Sequence, residues 1–347
     1  MGHFIYYDHI MSCNKYITGI LASAALLFAA CNNNKEGSAG QSAATTAAAT
    51  PKPLNVPAFN ADSAYVSVAK QVAMGPRTPG SAAQTKCAAW MQAQLKKVCD
   101  TVYRQDTHVT GGDGKSLPCI NLIGTINPAA PKRILLLTHW DSRPWADQDT
   151  KDKDKPILAA DDAGSGVGVL IEVARQLREH GLDKSVGIDI LFTDVEDYGR
   201  SEWGEDSYCL GTQYWAKHPH VPGYHAAFGI LLDMVGARGA QFPMEGLSTQ
   251  FAGDVQQMVW KAAGDAGYSS YFPYVAAAQI TDDHVPVNRI TGIKTIDIIN
   301  LTQDPNNPFA AHWHTHADAM DIIDKGTLKA VGQTLLQTIY ETAQPSS

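Results

Sequence analysis

The sequence predicts an α/β fold in which helices flank a mostly parallel, mixed sheet to give three layers. Apolar, strand-like runs alternate with helical segments along most of the 347 residues, a pattern typical of parallel α/β sheets. The run over residues 186–193 is mostly apolar, which indicates a strand that helices cover on both faces. The composition, 44% hydrophobic and 18% charged, is that of an ordinary globular domain.

The first part of the chain is predicted to be an export signal and not part of this fold. An apolar run over residues 17–30 follows Lys15 and has the length of a signal peptide's apolar core. The small residues before Cys31 resemble a bacterial lipobox, so we expect residues 1–30 to be a lipoprotein signal, with Met11 as an alternative start. The predicted location is the periplasm, with a lipid on Cys31 as the single membrane anchor. The alternative is plain secretion, with Cys31 left in the mature chain.

Two further segments follow the predicted signal. Residues 31–58 are rich in Ala, Asn, Ser, Thr and Pro, and we expect a flexible tether because they cannot bury enough apolar surface to order themselves. Residues 59–347 are predicted to form a single catalytic α/β domain. The net charge is −8 and no basic run is present, which argues against a nucleic-acid partner.

Periodicity and capping residues predict the elements of this domain in turn. Apolar residues recur at helical spacing after Asp62, the candidate N-cap of a first helix, and Ser81 is placed to cap a second. The predicted elements are a helix over residues 62–73, a helix over 82–98, strands over 101–109, 120–126 and 133–138, a helix over 163–179, a strand over 186–193, a helix over 207–217, a strand over 228–235, a helix over 249–266, a strand over 294–301 and a helix over 327–343.

The cysteines beyond the signal are interpreted mainly as buried thiols. Cys87 and Cys99 lie about 18 Å apart on one predicted helix, which is too far for a disulfide between them. Cys119 and Cys209 are not assigned a pairing. No C-x-x-C zinc signature is present.

Acidic and histidine residues follow the predicted strands. Because the carboxyl ends of parallel strands meet at one edge of a sheet, we expect these residues to form one site. They are His139 and Asp141 after residues 133–138, Glu196 and Asp197 after residues 186–193, Asp233 near the end of the next strand, Asp161 and Asp162 before the helix over 163–179, and His312, His314 and His316 in the loop after the last strand.

Carboxylates and imidazoles are ligands that zinc prefers, and a catalytic zinc takes three protein ligands and keeps a fourth position open. Asp162, Asp197 and His314 would supply such a set from three separate loops. Glu196 and Asp197 are adjacent, so their side chains diverge from one backbone point, and one can hold a metal while the other faces a substrate and moves a proton. Spacing alone does not choose His314 over its two neighbouring histidines, because each of them can equally be a hydrogen-bonding loop residue.

The order of these motifs resembles that of the zinc-dependent glutaminyl cyclases of the animal type and their bacterial relatives, which share a fold with the zinc aminopeptidases. The resemblance rests on residues 77–81, on His139-x-Asp141, on residues 161–166, on the acid pair and on the His-Thr at position 314. It implies a zinc-exopeptidase-like fold and one zinc ion per chain, with Glu196 as the general acid/base. Those cyclases typically carry Glu-Glu where this chain has Glu196-Asp197.

The same resemblance implies the roles of the remaining site residues. Asp233 and Asp282 would hold the nitrogen of the reaction intermediate, and Asp282 would share a proton with Glu196. The Gln that the family carries before Asp282 is Thr281 in this chain. Three aromatic residues would line the substrate pocket, namely Trp203, Phe309 and Trp313.

The implied activity is the conversion of an N-terminal Gln of peptides or proteins to pyroglutamate, with release of ammonia. One alternative is a zinc aminopeptidase, in which His139 and Asp233 would help to hold a second zinc. Another is a non-catalytic relative that binds peptides on the same fold. The non-catalytic alternative is disfavoured, because neither a proposed ligand nor the proton-transfer acid is missing.

Overall fold

The computed structural model describes residues 54–304 and 306–344 of the chain. Six strands form a single sheet, and their bounds are β1 Thr101–Thr110, β2 Ser116–Ile126, β3 Lys132–His139, β4 Val186–Thr193, β5 Phe228–Asp233 and β6 Thr295–Ile299. The strand order is β1-β2-β4-β3-β5-β6. β2 runs antiparallel to both β1 and β4, whereas β4, β3, β5 and β6 are mutually parallel. The predicted mixed, mostly parallel sheet is confirmed.

Helices cover both faces of this sheet. Their bounds are α1 Ala61–Val72, α2 Ala82–Val98, α3 Gly164–His180, α4 Leu210–Lys217, α5 Gly246–Asp265, the short turn α6 His284–Pro286 and α7 Lys325–Thr342. In β4, Ile188, Ile190 and Phe192 pack into the large core formed with α1, α2, α3, α5 and α7, whereas Leu191 packs with Trp215 of α4 on the opposite face. This alternation explains why the strand is apolar on both faces and gives the three layers that the sequence predicts.

The structure corrects several predicted boundaries. The N-cap of α1 is Asn60 and not Asp62, since the Asn60 side chain accepts a hydrogen bond from the Ser63 amide. β2 begins at Ser116, four residues earlier than predicted, because the turn after β1 closes quickly and extends the antiparallel ladder to the pair Thr110 and Ser116. The predicted cap Ser81 is confirmed: its Oγ accepts from the Gln84 amide at 3.0 Å.

Further differences lie in the loops near the site. α4 starts at Leu210 and not at residue 207, because two short 3-10 turns, Ser201–Trp203 and Glu205–Ser207, precede it. α5 starts three residues earlier than predicted, because Glu245 caps it with both carboxylate oxygens. The four cysteines of the described part, Cys87, Cys99, Cys119 and Cys209, are free and buried, as expected.

The predicted signal peptide, and the predicted tether up to residue 53, lie outside the described residues. Among the helices of the part that is described, none is long and apolar enough to cross a membrane.

Candidate active site

The predicted site residues converge at the carboxyl edge of the parallel strands. His139 ends β3, Asp233 ends β5, and Glu196 and Asp197 follow β4. Asp162 lies just before α3, at the end of the long connection from β3. All of these side chains are buried, with at most 9% of the residue exposed. The edge of the sheet that the sequence predicts for the chemistry is therefore where the acids and imidazoles meet.

Asp162, Asp197 and His314 form a cluster that fits a metal ion. One ligand atom of each lies within 4.8 Å of the others, and His314 Nε2 is 3.2 Å from Asp197 Oδ1 and 3.7 Å from Asp162 Oδ2. Asp197 Oδ2 is buried without a hydrogen-bond partner among the described residues. Such an orphaned carboxylate oxygen is costly unless a cation is bound, so the residues present fit a zinc ion.

The three neighbouring histidines, which spacing could not separate, have different surroundings. His312 Nε2 contacts Asp161 Oδ2 at 2.9 Å, outside the cluster. His316 is exposed and its Nε2 contacts the Asp152 carbonyl. His314 alone of these three points at the paired carboxylates.

A shell of buried groups holds the ligand-bearing loops. Asp141 accepts hydrogen bonds from the amides of Glu196 and Asp197 at 3.0 and 3.2 Å. Asp318 does the same for the amides of Asp161 and Asp162, at 2.7 and 3.2 Å. Each of these carboxylates therefore fixes the backbone of two consecutive residues, which orients the ligand side chains before any metal binds.

Arg143 supports the cluster from the other side. Its Nη1 donates to Asp197 Oδ1 at 2.8 Å, and its Nε and Nη2 bind both oxygens of Asp147 at 2.7 Å. Asp147 in turn lies 3.6 Å from His314 Nδ1. Burial raises the pKa of Asp197, but the neighbouring His314 and Arg143 outweigh burial and lower that pKa to about 2. Asp197 is thus held as a carboxylate, the form that binds metal.

A second cluster, His139, Asp162 and Asp233, lies beside the first and shares Asp162 with it. His139 Nε2 is 2.9 Å from Asp162 Oδ1 and 3.3 Å from Asp233 Oδ1. Burial and the charge of Asp162 raise the pKa of Asp233 to about 7, although His139 opposes this. Burial would lower the pKa of His139, but its hydrogen bonds to the surrounding carboxylates raise it well above the usual value. These groups can either hydrogen-bond to one another or hold a second cation.

Glu196 and Asp282 lie close to each other next to the metal cluster. One oxygen of each is within 4.8 Å of the other and of Cys209 Sγ. Burial raises the pKa of Glu196 well above its usual range, and the charges of Asp197 and Asp282 add to this although His139 opposes it. Burial and Asp233 likewise raise the pKa of Asp282. Two carboxyl groups in such surroundings can share a proton near neutral pH, which suits a general acid/base.

The residues of the metal cluster and the acid pair line a small cavity of about 60 Å³. Phe309 and Trp313 stack with ring centroids 4.0 Å apart, and Trp313 stacks on the His314 ring at 3.7 Å. The two aromatic rings therefore form one wall and support the candidate ligand at the same time. The lining residues are Asp162, Glu196, Asp197, Tyr208, Asp233, Ile280, Thr281, Asp282, Ile299, Phe309, Trp313 and His314.

Trp203 differs from the expectation, because the structure does not bring it into this lining. Its indole stacks with Tyr198 at 6.2 Å and meets Trp145 edge-on at 6.0 Å. Gly112, in the turn between β1 and β2, leaves the space that the indole occupies, since a Cβ there would lie within 2.6 Å of it. The 3-10 turn that carries Trp203 thus packs it against Tyr198 and Trp145 and not against the cavity.

Sequence reasoning missed several residues of the site. Tyr208, Ile280 and Ile299 line the cavity, and Arg143 and Cys209 contact the acid pair. Arg143 is two residues after the His139-x-Asp141 motif, and that proximity was the one available signal. The others come from segments without a charged or repeated pattern, so their positions depend on the folded loops.

Solved structures of similar proteins agree with this fold. The structure of a glutaminyl cyclase of Bacteroides thetaiotaomicron, bound to N-acetylhistamine, is 47% identical and superposes with a TM-score of 0.80, covering 82% of this chain and 99% of that one. A Zn-dependent exopeptidase of Parabacteroides distasonis is 49% identical at the same TM-score and coverage. The sheet, its flanking helices and the buried cluster of two carboxylates and an imidazole define a protein of the zinc-exopeptidase class.

The chain belongs to peptidase family M28, whose model matches residues 121–339. Among curated proteins, the glutaminyl-peptide cyclotransferase of Bothrops jararaca is 26% identical over 249 residues, which is 64% of this chain. The aligned part spans 65% of the length of that relative.

Proposed function

We propose that this chain is a glutaminyl-peptide cyclotransferase, which converts an N-terminal Gln of peptides or proteins to pyroglutamate and releases ammonia. The observation that carries the proposal is the cavity itself. Metal-ligand residues, the close pair Glu196 and Asp282, and the stacked wall of Phe309 and Trp313 enclose only about 60 Å³. The names of the relatives and structural neighbours support the same activity.

The reaction closes a ring within one residue, so the protein mainly has to orient and polarise it. The α-amine attacks the side-chain amide carbon, a C–N bond forms, and the original C–NH₂ bond breaks to release ammonia. A zinc ion held by Asp162, Asp197 and His314 would supply Lewis-acid polarisation of the amide oxygen. Glu196 takes a proton from the attacking amine and returns one to the leaving nitrogen.

Asp233 and Asp282 complete the proposed chemistry. Both line the cavity, and their raised pKa values suit carboxyl groups that hold or share a proton. They would accept hydrogen bonds from the nitrogen atoms of the intermediate. Asp282 would also share the proton that Glu196 carries, since two close carboxyl groups do not ionise together easily.

A zinc aminopeptidase is the second candidate, and one specific observation favours it. The cluster of His139, Asp162 and Asp233 could hold a second ion beside the first, with Asp162 as the shared ligand. We propose one zinc per chain, because the hydrogen bonds of His139 to its neighbouring carboxylates already satisfy that cluster.

One assay separates the two candidates. The protein from about residue 59 onward is incubated with a peptide that begins with Gln, the products are weighed by mass spectrometry, and zinc is counted per chain. Loss of the mass of ammonia with one zinc per chain is the expected result. Release of the first residue with two zinc ions per chain would mean an aminopeptidase. Neither product, with no zinc bound, would point to a non-catalytic relative.

Glu196→Gln is the sharpest test of the assigned roles. The amide is nearly isosteric but cannot accept the proton, so turnover should fall by about 10²–10⁴-fold. Zinc content should stay at the wild-type value, because Glu196 is not in the proposed ligand set. Zinc per chain and the turnover number are measured on the same preparation. Retention of most of the activity would remove Glu196 from the mechanism.

We also propose that the chain is exported and anchored to a membrane through a lipid on Cys31. The apolar run over residues 17–30 and the small residues before Cys31 support this. Substrates would then be exported proteins or peptides with an exposed N-terminal Gln. Metabolic labelling with a fatty acid tests the anchor: the label should appear on the wild-type protein and be absent from Cys31→Ala.

A further inference from the structure

Cys209 contacts the proposed general acid/base directly. Its Sγ lies 3.3 Å from Glu196 Oε1, and no other side chain of the described residues donates a hydrogen bond to that carboxylate. Cys209 is 2% exposed, so water does not compete for this contact. Glu196 meanwhile lines the cavity, and its second oxygen is left for the substrate.

The backbone around Cys209 places the thiol there. The Cys209 amide donates to the Glu196 carbonyl at 3.0 Å, and the Leu210 amide donates to the Val195 carbonyl at 3.1 Å. These two bonds tie the start of α4 to the loop after β4. Cys209 stands at the N-cap position of α4 with φ +55°, yet its side chain makes no capping hydrogen bond. The thiol is therefore turned away from its own helix and towards the acid.

We propose that Cys209 is a positioning residue for Glu196: its S–H holds one carboxylate oxygen in place so that the other points into the cavity. A glutamate side chain has three rotatable bonds and loses considerable freedom when it is fixed. A base that takes a proton must keep a defined geometry towards the reacting atom, and a misplacement of about 1 Å can cost 100-fold in rate. A donor on the far oxygen restricts the side chain without occupying the reacting oxygen.

The surroundings keep the thiol in the donating form. Burial raises the pKa of Cys209 well above its usual value, and the charges of Glu196, Asp283 and Asp282 add to this. The sulfur is thus an S–H group at neutral pH and not a reactive thiolate. The ordinary alternative is that Cys209 is a small apolar filler like many buried cysteines, and this alternative makes a different prediction.

Three variants separate positioning from packing. Cys209→Ala removes the donor, Cys209→Ser keeps a donor of similar size, and Cys119→Ala is the matched control. Cys119 is also a buried free cysteine, but its thiol lies 3.8 Å from Asn121 Oδ1 and from the Asp194 carbonyl, away from Glu196. Melting temperature and zinc per chain are recorded for each protein, and kcat and KM are measured separately.

We expect Cys209→Ala to lower kcat about tenfold, because the released Glu196 side chain then spends less time in the reacting geometry. Its KM should stay within about twofold of wild type, because the acid acts mainly in the transition state. Cys209→Ser should recover most of the rate, and Cys119→Ala should keep it. The proposal fails if Cys209→Ala keeps the wild-type kcat, or if the kcat of Cys209→Ser falls as far as that of Cys209→Ala. It also fails if Cys209→Ala loses zinc or melts well below Cys119→Ala, since the thiol would then act through packing.

This inference rests on the proposed function, but the two can fail separately. Wild-type protein that forms no pyroglutamate overturns the proposed function. If that protein releases the first residue instead, the same ratios of kcat are measured on that reaction, in which Glu196 would again be the base.

Discussion

Arg143 is the residue that joins most parts of the site. It is 1% exposed and donates to the Asp197 side chain, to the carbonyls of Asp197 and Gly199, and to both oxygens of Asp147. The planar guanidinium can satisfy these acceptors together, whereas an ammonium group is a single point charge. The candidate metal site therefore depends on a side chain that is not itself a ligand.

We expect Arg143→Lys to lower zinc affinity by about 10–100-fold, as the loss of an outer-shell partner usually does. Competition with a fluorescent zinc chelator measures the affinity. Arg175→Lys is the matched control, because Arg175 also binds carboxylates but lies on α3 with Glu172 and Glu179 as partners. Equal zinc affinity in wild type and Arg143→Lys would show that Asp197 needs no such support.

At this scale the sequence predicted the residues that carry chemistry better than those that support them. Asp162, Asp197 and His314 converge as expected because each follows a strand or opens a helix, and parallel topology brings such positions together. Arg143 and Cys209 could not be assigned, since their partners are set by loops whose path has no sequence periodicity. The family resemblance places Trp203 in the pocket, but the local turn packs it against Tyr198.

The contact between α3 and the sheet depends on Gly166. A Cβ at this position would clash with Thr138 Oγ1 of β3 and lie 3.0 Å from the carbonyl of Leu232 of β5. Because position 166 has no Cβ, α3 can pack closely against β3 and β5 near Asp162. This is the close backbone approach that glycine allows at such a turn.

We expect Gly166→Ala to destabilise the protein by about 2–3 kcal/mol, because the methyl group overpacks the interface. Gly253→Ala, inside α5, is the control: nothing lies within 4 Å of its added Cβ. The control should be neutral or stabilise by about 0.5–1 kcal/mol, since Ala favours helix over Gly. Urea unfolding of the three proteins gives the comparison, and equal stability of both variants would contradict the close approach.

Glu245 caps α5 and also holds the segment that leads to Asp282. Its carboxylate accepts from the amides of Leu247, Ser248 and Ile280. Burial raises the pKa of Glu245, but His284, whose Nε2 lies 3.4 Å from Oε2 of Glu245, and the hydrogen bond from the Ser248 amide outweigh burial and leave that pKa below its ordinary value. A lowered folded-state pKa means that ionised Glu245 stabilises the fold above the unfolded pKa of about 4.3.

We therefore expect Glu245→Gln to cost about 1–2 kcal/mol near neutral pH, as loss of an N-cap does. The difference from wild type should shrink as the pH falls through the folded-state pKa of Glu245, because the wild-type carboxylate is then protonated too. Urea unfolding at several pH values measures this. Glu205→Gln, at an exposed position, should show no such dependence, and a difference that grows towards acid pH would contradict the assignment.

Elements with strong periodicity or a clear cap were predicted well, as β4 and α2 show. Boundaries failed where tertiary contacts extend or interrupt the pattern. β2 is longer than its apolar run because the hairpin with β1 pairs beyond it. α4 is shorter because the preceding residues form two 3-10 turns instead of a continuous helix.

For the molecule as a whole, the candidate metal site joins three separate parts of the fold. Its ligands follow β4 and β6 and precede α3, so a bound ion would cross-link the carboxyl edge of the sheet. Anything that binds the folded state alone stabilises it, by about 2.7 kcal/mol at 100 times the Kd.

Removal of zinc with a chelator should therefore lower the melting temperature, by roughly 5–10 °C for a chain of this size. Scanning calorimetry with and without added zinc measures the shift. Asp162→Asn should show little response to either treatment, because it lacks one proposed ligand. A wild-type melting temperature that is the same with chelator and with zinc would argue against a bound structural and catalytic ion.

The pairing of Asp318 with the amides of Asp161 and Asp162 bears on the order of events in the cell. Asp318 is 157 residues from Asp161 and 156 residues from Asp162 in sequence. His314 belongs to the same C-terminal segment as Asp318. Contacts between residues so far apart in sequence form late in folding, because closing a long loop costs chain entropy before the new contacts stabilise it. A growing chain that has folded only as far as β4 therefore cannot capture zinc at this site. The proposed zinc ion would therefore meet its complete ligand set only once the C-terminal segment has packed beside the start of α3.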